Sequence, residues 1–197
     1  MMKRYCVTAL LTASLAFSSI AQATDSGAAK SFIDTTATQV LTLVKNESLN
    51  KDQKQAKIES IFSDKVDINF VAKFVLGKSW RTATPQQQQE YIAAYKPFIL
   101  KNYAAKLTKY SGQTYTLKNA RTEGDDTVVT MEINDPDGQK VNVDYHLRNE
   151  SGFKIVDIAV EGVSLLTTQR SEFNGIIESK GVDGLIAALK AQVAAKQ

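Results

Sequence analysis

The sequence predicts an α+β domain, in which helices pack on one antiparallel sheet. Three observations predict it. Apolar residues recur at spacings of three and four up to about Leu107, apolar and polar residues then alternate from Gln113, and helical spacing returns at about Gln169. Neither a repeat nor a Pro/Gly/Ser-rich linker divides the 197 residues, and a chain of this length fits one domain.

The first 23 residues have the features of a cleaved secretory signal. Lys3 and Arg4 provide its positive charge, an apolar stretch spans residues 7–20, and Ala21-Gln22-Ala23 has the small-x-small pattern of a cleavage site. The stretch is shorter than the roughly 20 residues of a membrane-spanning helix, which favours cleavage over the alternative of an uncleaved anchor. We therefore expect an exported, soluble domain of residues 24–197.

Few reactive groups remain after this signal. Cys6, the only cysteine, lies within it, and His146 is the only histidine. The mature chain holds 22 basic and 21 acidic residues, a net charge of +1, and no Lys/Arg cluster interleaved with aromatic residues, so no nucleic-acid partner is expected. An exported domain that is poor in reactive groups and rich in apolar residues favours binding over catalysis.

Four helices are predicted before the sheet, and periodicity alone indicates the first two. The second runs from about Lys51 to Ser63 and has Ile58, Ile61 and Phe62 on one side. The first carries one apolar face, formed by Ala29, Phe32, Ile33, Thr36, Ala37, Val40, Leu41 and Val44.

The third and fourth helices also carry end signals. The third covers about residues 70–75 and ends at Gly77, a residue type favoured just after a helix. The fourth is predicted over Pro85–Leu107, with Thr84 as its N-cap and proline at its first position. Pro97 lies inside it and is expected to kink or break it.

Four strands are predicted from the alternation: about Thr114–Thr122, Thr127–Asn134, Lys140–Arg148 and Phe153–Val160. The breaks between them are short and rich in Gly, Asp and Asn, which indicates hairpins and an antiparallel sheet. In the third strand, Val143 and Tyr145 share one face while Asp144 and His146 share the other. The fourth strand loses its alternation after Ile155, which indicates a bulge or apolar cover on both faces.

Two helices are predicted to close the chain, on either side of Gly181. The first, from about Gln169 to Ser179, contains Phe173. The second runs from about Val182 to Ala195 and repeats Leu185, Ile186, Leu189 and Val193 at helical spacing.

One pair of residues offers an enzymatic alternative. Asp144 and His146 can exchange protons with a substrate if their face of the strand lines a pocket. A polar strip facing solvent is the other interpretation. Residues 135–138 lack the later ligands of a calcium loop and are interpreted as a turn. Phosphate-binding glycine loops, nucleophile elbows and zinc-ligand motifs are absent from the sequence, and neither a metal nor a cofactor is expected.

Three segments resemble sequence blocks of one known family. Residues 74–85 (FVLGKSWRTATP) resemble the "VLG-x-x-W-R-x-A-T-P" block of the MlaC family, also called the toluene-tolerance or phospholipid-binding ABC-substrate family. Residues 160–166 (VEGVSLL), followed by Arg170-Ser171-x-Phe173, resemble its "V-E-G-V-S-L" and "R-S-x-F" block, and residues 181–189 (GVDGLIAAL) are similar to its closing block. Gln169 departs from the tyrosine that the family often has before the arginine.

The resemblance implies a periplasmic phospholipid carrier and no enzyme. It implies helices around a curved, NTF2-like antiparallel sheet, with acyl tails in an apolar pocket and the head group outside. The implied partners are an inner-membrane ABC transporter complex with its MCE-domain subunit, and an outer-membrane lipoprotein–porin complex. Bound phospholipid would be cargo. A periplasmic chaperone or adaptor with an apolar groove is a further alternative.

The resemblance directs attention to the apolar faces of helices and sheet as the pocket lining. The residues expected to bind lipid are Phe70, Phe74, Tyr95, Phe98, Ile99, Tyr103, Val129, Met131, Val143, Tyr145, Val163, Leu165 and Phe173. The alternative for each is an ordinary core position, because a core and a pocket share one pattern. Arg81 and Arg170 are the expected phosphate neighbours, since guanidinium suits phosphate oxygens; a structural contact is their alternative.

Overall fold

The computed structural model describes residues 18–108 and 112–195. In this part of the chain, five helices precede a sheet and a long helix follows it. The elements are α1 (Ser18–Lys45), α2 (Lys51–Lys65), α3 (Ile68–Leu76), α4 (Lys78–Thr82), α5 (Pro85–Leu107), β1 (Thr114–Glu123), β2 (Asp126–Asn134), β3 (Lys140–Asn149), β4 (Phe153–Val160), β5 (Val163–Ser164) and α6 (Leu165–Ala194). The predicted α+β class is confirmed.

The sheet is antiparallel throughout and follows chain order from β1 to β5. Four of its strands agree with the predicted ones within one residue at either end. The prediction omitted β5, which has two residues and pairs with the end of β4. Val156 is an extra residue in β4 where that strand pairs with β3, so the predicted bulge is confirmed.

Helix ends follow the capping residues of the sequence. Thr84 Oγ1 accepts a hydrogen bond from Gln87 N (3.2 Å), and the Gln87 side chain accepts one from Thr84 N (3.1 Å), as a capping box requires. Of the kink or break predicted at Pro97, the break was wrong: α5 continues through it. Proline removes only one backbone bond, and the buried neighbours Ala94 and Phe98 hold both halves of the helix against the core.

The last helix contains the predicted interruption. Gly181 has φ 68° and ψ −179°, which are not helical values, so two helical segments meet there at a kink. The first segment begins at Leu165, four residues before the predicted start, because Ser164 caps it through a hydrogen bond from Thr167 N to Ser164 Oγ (3.0 Å).

Apolar residues form two cores. The helical core lies between α3, α5 and α6 and is built from buried residues such as Val75, Tyr91, Tyr95, Phe98, Phe173 and Leu189. The sheet core lies between α1 and the sheet and is built from Ala29, Ile33, Val129, Met131, Leu147 and Ile155.

The predicted signal is largely outside the described residues, which begin at Ser18; residues 18–23 form the first turns of α1. The part of α1 that follows residue 23 is fixed to the sheet at Asp25. Its carboxylate accepts hydrogen bonds from Thr127 Oγ1 (3.2 Å) and from Asn149 Nδ2 (3.1 Å). No helix within residues 18–108 and 112–195 is long and apolar enough to cross a membrane.

Candidate ligand-binding cavity

A cavity of about 340 Å³ lies between α1, α2, the end of α5 and one face of the sheet. We call it the main cavity. Most of its lining is apolar. From the helices it comprises Ile33, Thr36, Ala37, Val40, Leu41, Val44, Ile61, Phe62, Lys65, Val66, Tyr103, Lys106, Leu107 and Leu165, and from the sheet and its approach Gln113, Thr114, Tyr115, Met131, Ile133, Val143, Tyr145, Ile155, Ile158 and Val160.

Strand register builds the floor of the main cavity. Met131 pairs with Val143, and Val143 pairs with Val160, so three apolar side chains form a row across β2, β3 and β4. Tyr145 and Ile158 form the next pair along β3 and β4. Because side chains alternate between the faces of a sheet, both rows face the same side.

The helix α1 forms the opposite wall. Its cavity residues recur at spacings of three and four, from Ile33 through Ala37, Val40 and Leu41 to Val44. Tyr115 on β1 fixes the helix beside the sheet: its hydroxyl donates to Asp34 Oδ1 (2.8 Å) and shares a hydrogen bond with Thr38 Oγ1 (3.0 Å). The wall is therefore held at one edge by polar bonds while its apolar stripe faces inward.

Two exposed residues, Lys106 and Thr114, place the opening at the end of α5 and the start of β1. Lys106 Nζ lies 5.6 Å from the centre of the Tyr103 ring, and no acidic side chain of the described residues pairs with it. Lys65, the other lining cation, binds Asp64 Oδ2 at 2.8 Å, and this hydrogen bond and charge lower the Asp64 pKa. Among the described residues that line the cavity, Lys106 is therefore the cation without an acidic partner.

Gln113 adds a polar atom to the same region. Within the described residues, its Oε1 is the buried side-chain oxygen or nitrogen that has no hydrogen-bond partner. A buried acceptor without a partner is unfavourable by about 1–3 kcal/mol, so a bound donor there would be stabilised.

Five of the thirteen predicted lipid-binding residues line the main cavity: Tyr103, Met131, Val143, Tyr145 and Leu165. Tyr103 and Leu165 also line a smaller neighbouring cavity, where the predicted Ile99 lies. The structure thus brings together the end of α5, the middle of the sheet and the start of α6.

Five other predicted residues, Phe70, Phe74, Tyr95, Phe98 and Phe173, lie away from the main cavity. Tyr95, Phe98 and Phe173 fill the helical core, with ring centres 6.0–6.1 Å apart. Phe70 packs against that core, and Phe74 is 36% exposed beside it. Their surroundings fit ordinary core packing, which was the alternative to lipid binding for each of these residues.

Two predicted sheet residues also lie outside the lining. Val129 is fully buried in the sheet core, and Val163 is 59% exposed in β5, just before α6. Sequence reasoning missed the α1 stripe as a wall, although it had identified the stripe as an apolar face. A signal for it exists: the stripe extends along α1 as far as Val44, well beyond Ile33, the last α1 residue of the sheet core.

Arg81 and Arg170 lie away from the opening. Arg81 is exposed on α4, and Arg170 stacks on the Phe74 ring at 5.1 Å. A Cβ atom at Gly77 would lie 2.9 Å from Arg170 Nε, so glycine allows the guanidinium to approach the backbone there. Arg170 therefore makes a structural contact, which was the alternative to a phosphate contact. A phosphate role for either arginine stays a prediction.

The two residues of the catalytic alternative, Asp144 and His146, do not line the main cavity. Asp144 accepts hydrogen bonds from Arg121 Nη2 (2.9 Å) and Thr130 Oγ1 (2.6 Å). Burial acts to raise the pKa of Asp144, but these bonds and the Arg121 charge outweigh it and hold that pKa below its ordinary value. His146 is partly buried and lines neither the main cavity nor the smaller neighbouring one. An ionised, paired carboxylate is a poor proton donor.

Metal binding also lacks a site in the described ranges. No group of three or more His, Cys, Asp or Glu side chains there is arranged to hold an ion.

Comparison with known proteins assigns the chain to a family. The family model described as MlaC protein matches residues 34–191. The chain belongs to the MlaC family. The resemblance of the three sequence blocks is therefore confirmed, and the MlaC match includes every residue of the main-cavity lining except Ile33.

Two curated relatives of this MlaC-family chain are similar over part of their length. The intermembrane phospholipid transport system binding protein MlaC of Haemophilus influenzae is 26% identical over 131 residues, covering 64% of this chain and 61% of that protein. The toluene tolerance protein ttg2D of Pseudomonas putida is 26% identical over 129 residues, covering 64% and 60%. The chain thus spans about three-fifths of the length of these relatives.

A solved structure shares the fold. The phospholipid-binding protein from Ralstonia solanacearum, determined in complex with a phospholipid, superimposes with a TM-score of 0.72 at 26% identity. The match covers 84% of this chain and 97% of that one.

Proposed function

We propose that this chain is a periplasmic phospholipid carrier that holds acyl tails in the main cavity. It exchanges its cargo with an inner-membrane ABC transporter complex that has an MCE-domain subunit, and with an outer-membrane lipoprotein–porin complex. The observation that carries the proposal is the apolar cavity of about 340 Å³ between α1 and the sheet. Membership of the MlaC family and the phospholipid complex of the Ralstonia neighbour support it.

The hydrophobic effect explains why such a carrier is needed. Each methylene transferred from water to an apolar environment gains about 0.8 kcal/mol. Two long tails, with roughly 30 methylenes, therefore resist entering water by on the order of 20 kcal/mol. Apolar walls such as Val40, Met131 and Val143 remove this barrier without a catalytic group. The volume lies within the usual range of ligand pockets, roughly 300–1,000 Å³.

The opening determines where the head group lies. Lys106 is exposed there, so a phosphodiester can stay hydrated while the ammonium group contacts its oxygens. Gln113 offers an acceptor for a hydroxyl or amine of the same head group. The lipid would then enter tails first, with its charge left at the surface.

Extraction of the native ligand tests the proposal. The full chain should be exported with its own leader, purified without detergent, extracted with organic solvent and examined by mass spectrometry. We expect phospholipid in near-stoichiometric amount. Repeated preparations that contain no lipid, or that contain peptide instead, would refute the carrier and in the second case favour a chaperone.

A further inference from the structure

A second, smaller cavity adjoins the main one. It has a volume of about 40 Å³ and lies between β4, α3, α5 and the start of α6. We call it the inner cavity. Its own walls include Val71, Ile99, Leu100 and Gln169, none of which lines the main cavity. It therefore extends toward the helical core.

Six residues line both cavities and so form the wall between them: Phe62, Val66, Tyr103, Ile155, Ile158 and Leu165. Three of these are β-branched, and Val66 and Ile155 are also joined by a backbone bridge. β-Branched side chains have few rotamers, so this part of the wall is fixed.

Phe62 and Tyr103 make the adjustable part of the wall. Phe62 comes from α2 and Tyr103 from α5, and their rings stack with centres 6.1 Å apart and an interplanar angle of 16°. Within the described residues, no hydrogen bond fixes the Tyr103 hydroxyl. The ring stack and the Lys106 ammonium, 5.6 Å from the centre of the Tyr103 ring, hold this pair, and both rings are only partly buried.

We propose that the stacked pair Phe62–Tyr103 is a partition that limits the length of the acyl tail this chain accepts. In the present arrangement the two rings stand between the cavities, and a tail in the main cavity does not enter the inner one. Removal of either ring joins the two cavities and extends the path by the space around Val71 and Leu100. The inference rests on the proposed carrier function and adds a determinant of cargo choice.

The expected effect follows from burial of additional methylenes. One more methylene taken from water favours binding about fourfold. A stearoyl tail has two more methylenes than a palmitoyl tail, so full burial of both favours it up to about fifteenfold. In the wild-type chain the partition prevents burial of these two methylenes, so they do not increase the affinity. Variants that lack the partition recover part of this increase in affinity.

Competition between tail lengths tests the partition. The full chain is stripped of lipid and incubated with vesicles of equal parts of dimyristoyl, dipalmitoyl and distearoyl phosphatidylethanolamine, and bound lipid is quantified by mass spectrometry. Phe62→Ala and Tyr103→Ala should raise the stearoyl-to-palmitoyl ratio several-fold over wild type. Tyr103→Phe keeps the ring and should leave the ratio unchanged.

Two further variants make the test specific. Leu41→Ala enlarges the main cavity at a wall that the inner cavity does not share, so it should not favour stearoyl tails. Leu100→Phe, combined with Phe62→Ala, refills the inner cavity and should restore the wild-type ratio. If the ring deletions destabilise the fold, Tyr103→Leu, which keeps apolar volume, should still give a partial shift.

The outcomes separate the two proposals. Normal total loading with an unchanged ratio in the ring variants, or the same shift in Leu41→Ala, overturns the partition and leaves the carrier intact. A wild-type chain that takes up none of the three lipids overturns the carrier function itself.

Discussion

The helical core and the main cavity are built from the same kinds of residue, but one is filled and the other is hollow. In the helical core, Tyr95, Phe98 and Phe173 contact one another with ring centres about 6 Å apart. In the main cavity, Val40, Val143 and Met131 line a space of about 340 Å³. The apolar stripes that produce the two regions are indistinguishable by period.

The difference lies in side-chain size and in the partner surface. Three aromatic rings from α5 and α6 interdigitate, and close packing of this kind leaves few voids. The α1 stripe offers mainly Ala, Val and Leu to a sheet face that carries the row Met131, Val143 and Val160. These two walls contain none of the three interlocking rings that fill the helical core, and the space between them stays open. Polar bonds at Tyr115 and Asp25 hold the walls in place.

The largest expected effect distinguishes the filled region from the hollow one. Phe98→Ala removes a ring from the helical core and should lower the free energy of unfolding by about 3–5 kcal/mol, because the close-packed surroundings cannot collapse into the gap. Chemical denaturation measures this loss. Lipid bound per folded molecule should stay at the wild-type value, and Phe98→Leu should show a smaller loss. Lower loading at full stability would instead place Phe98 on the lipid site.

The converse substitution acts on the hollow region. Val143→Trp fills the centre of the main cavity and should reduce lipid loading at least about tenfold, since excluding two methylenes already has that effect. Stability should change little because the ring enters empty space. Val141→Trp on the same strand, which is not part of the lining, is the matched control for vesicle-loading assays. Equal loading of Val143→Trp and wild type would contradict the assignment of the cavity.

A smaller effect is expected on the polar face of β3, which lies opposite the face that lines the main cavity. The pKa of Asp144 lies below its ordinary value of 3.8, so its ionised form stabilises the folded chain above that pH, and the stabilisation is lost as pH falls through the folded pKa. Asp144→Asn should lower the free energy of unfolding at neutral pH by about 0.5–1 kcal/mol, since the Arg121 pair is partly exposed.

The Asp144→Asn deficit should vanish in strongly acidic solution, which denaturation at several pH values will show. Lipid loading should not change, because this face of β3 is opposite Val143. A loss of lipid loading would support a functional role for the polar face of β3. A deficit in the free energy of unfolding that persists in acid would exclude the ion pair as its cause.

The smallest effect concerns the opening. Lys106→Glu should slow uptake from anionic phospholipid vesicles by up to about fivefold at low salt, with the difference removed at high salt, because an exposed charge contributes no more than about 1 kcal/mol and is screened. Lys101→Glu, on the same helix but outside the lining, is the control. Equal slowing by both variants would assign the effect to net charge and not to the opening.

The sequence predicted the elements better than the site, for a physical reason. Strand limits follow from local turns at residues 124–126, 135–138 and 149–152, and the caps at Thr84 and Gly181 are local as well. The continuity of α5 through Pro97 was missed because packing of Ala94 and Phe98, which is not local, outweighs the missing backbone bond.

The site depends on which surfaces face each other across a gap, and no local pattern contains that information. Val143, Tyr145 and Met131 were predicted because they share a sheet face, which periodicity determines. Phe98 was predicted with them because it is aromatic and apolar, yet it packs on Phe173 instead. The α1 wall became recognisable only when the register of the sheet placed its row opposite Val40.

The position of the tails in the main cavity can be measured directly. The chain should be loaded with a phospholipid whose tails carry bromine atoms, crystallised, and examined for anomalous scattering. We predict bromine peaks between α1 and the row formed by Met131, Val143 and Val160. Peaks within the helical core near Phe98, or only on the outer surface of the protein, would contradict the account.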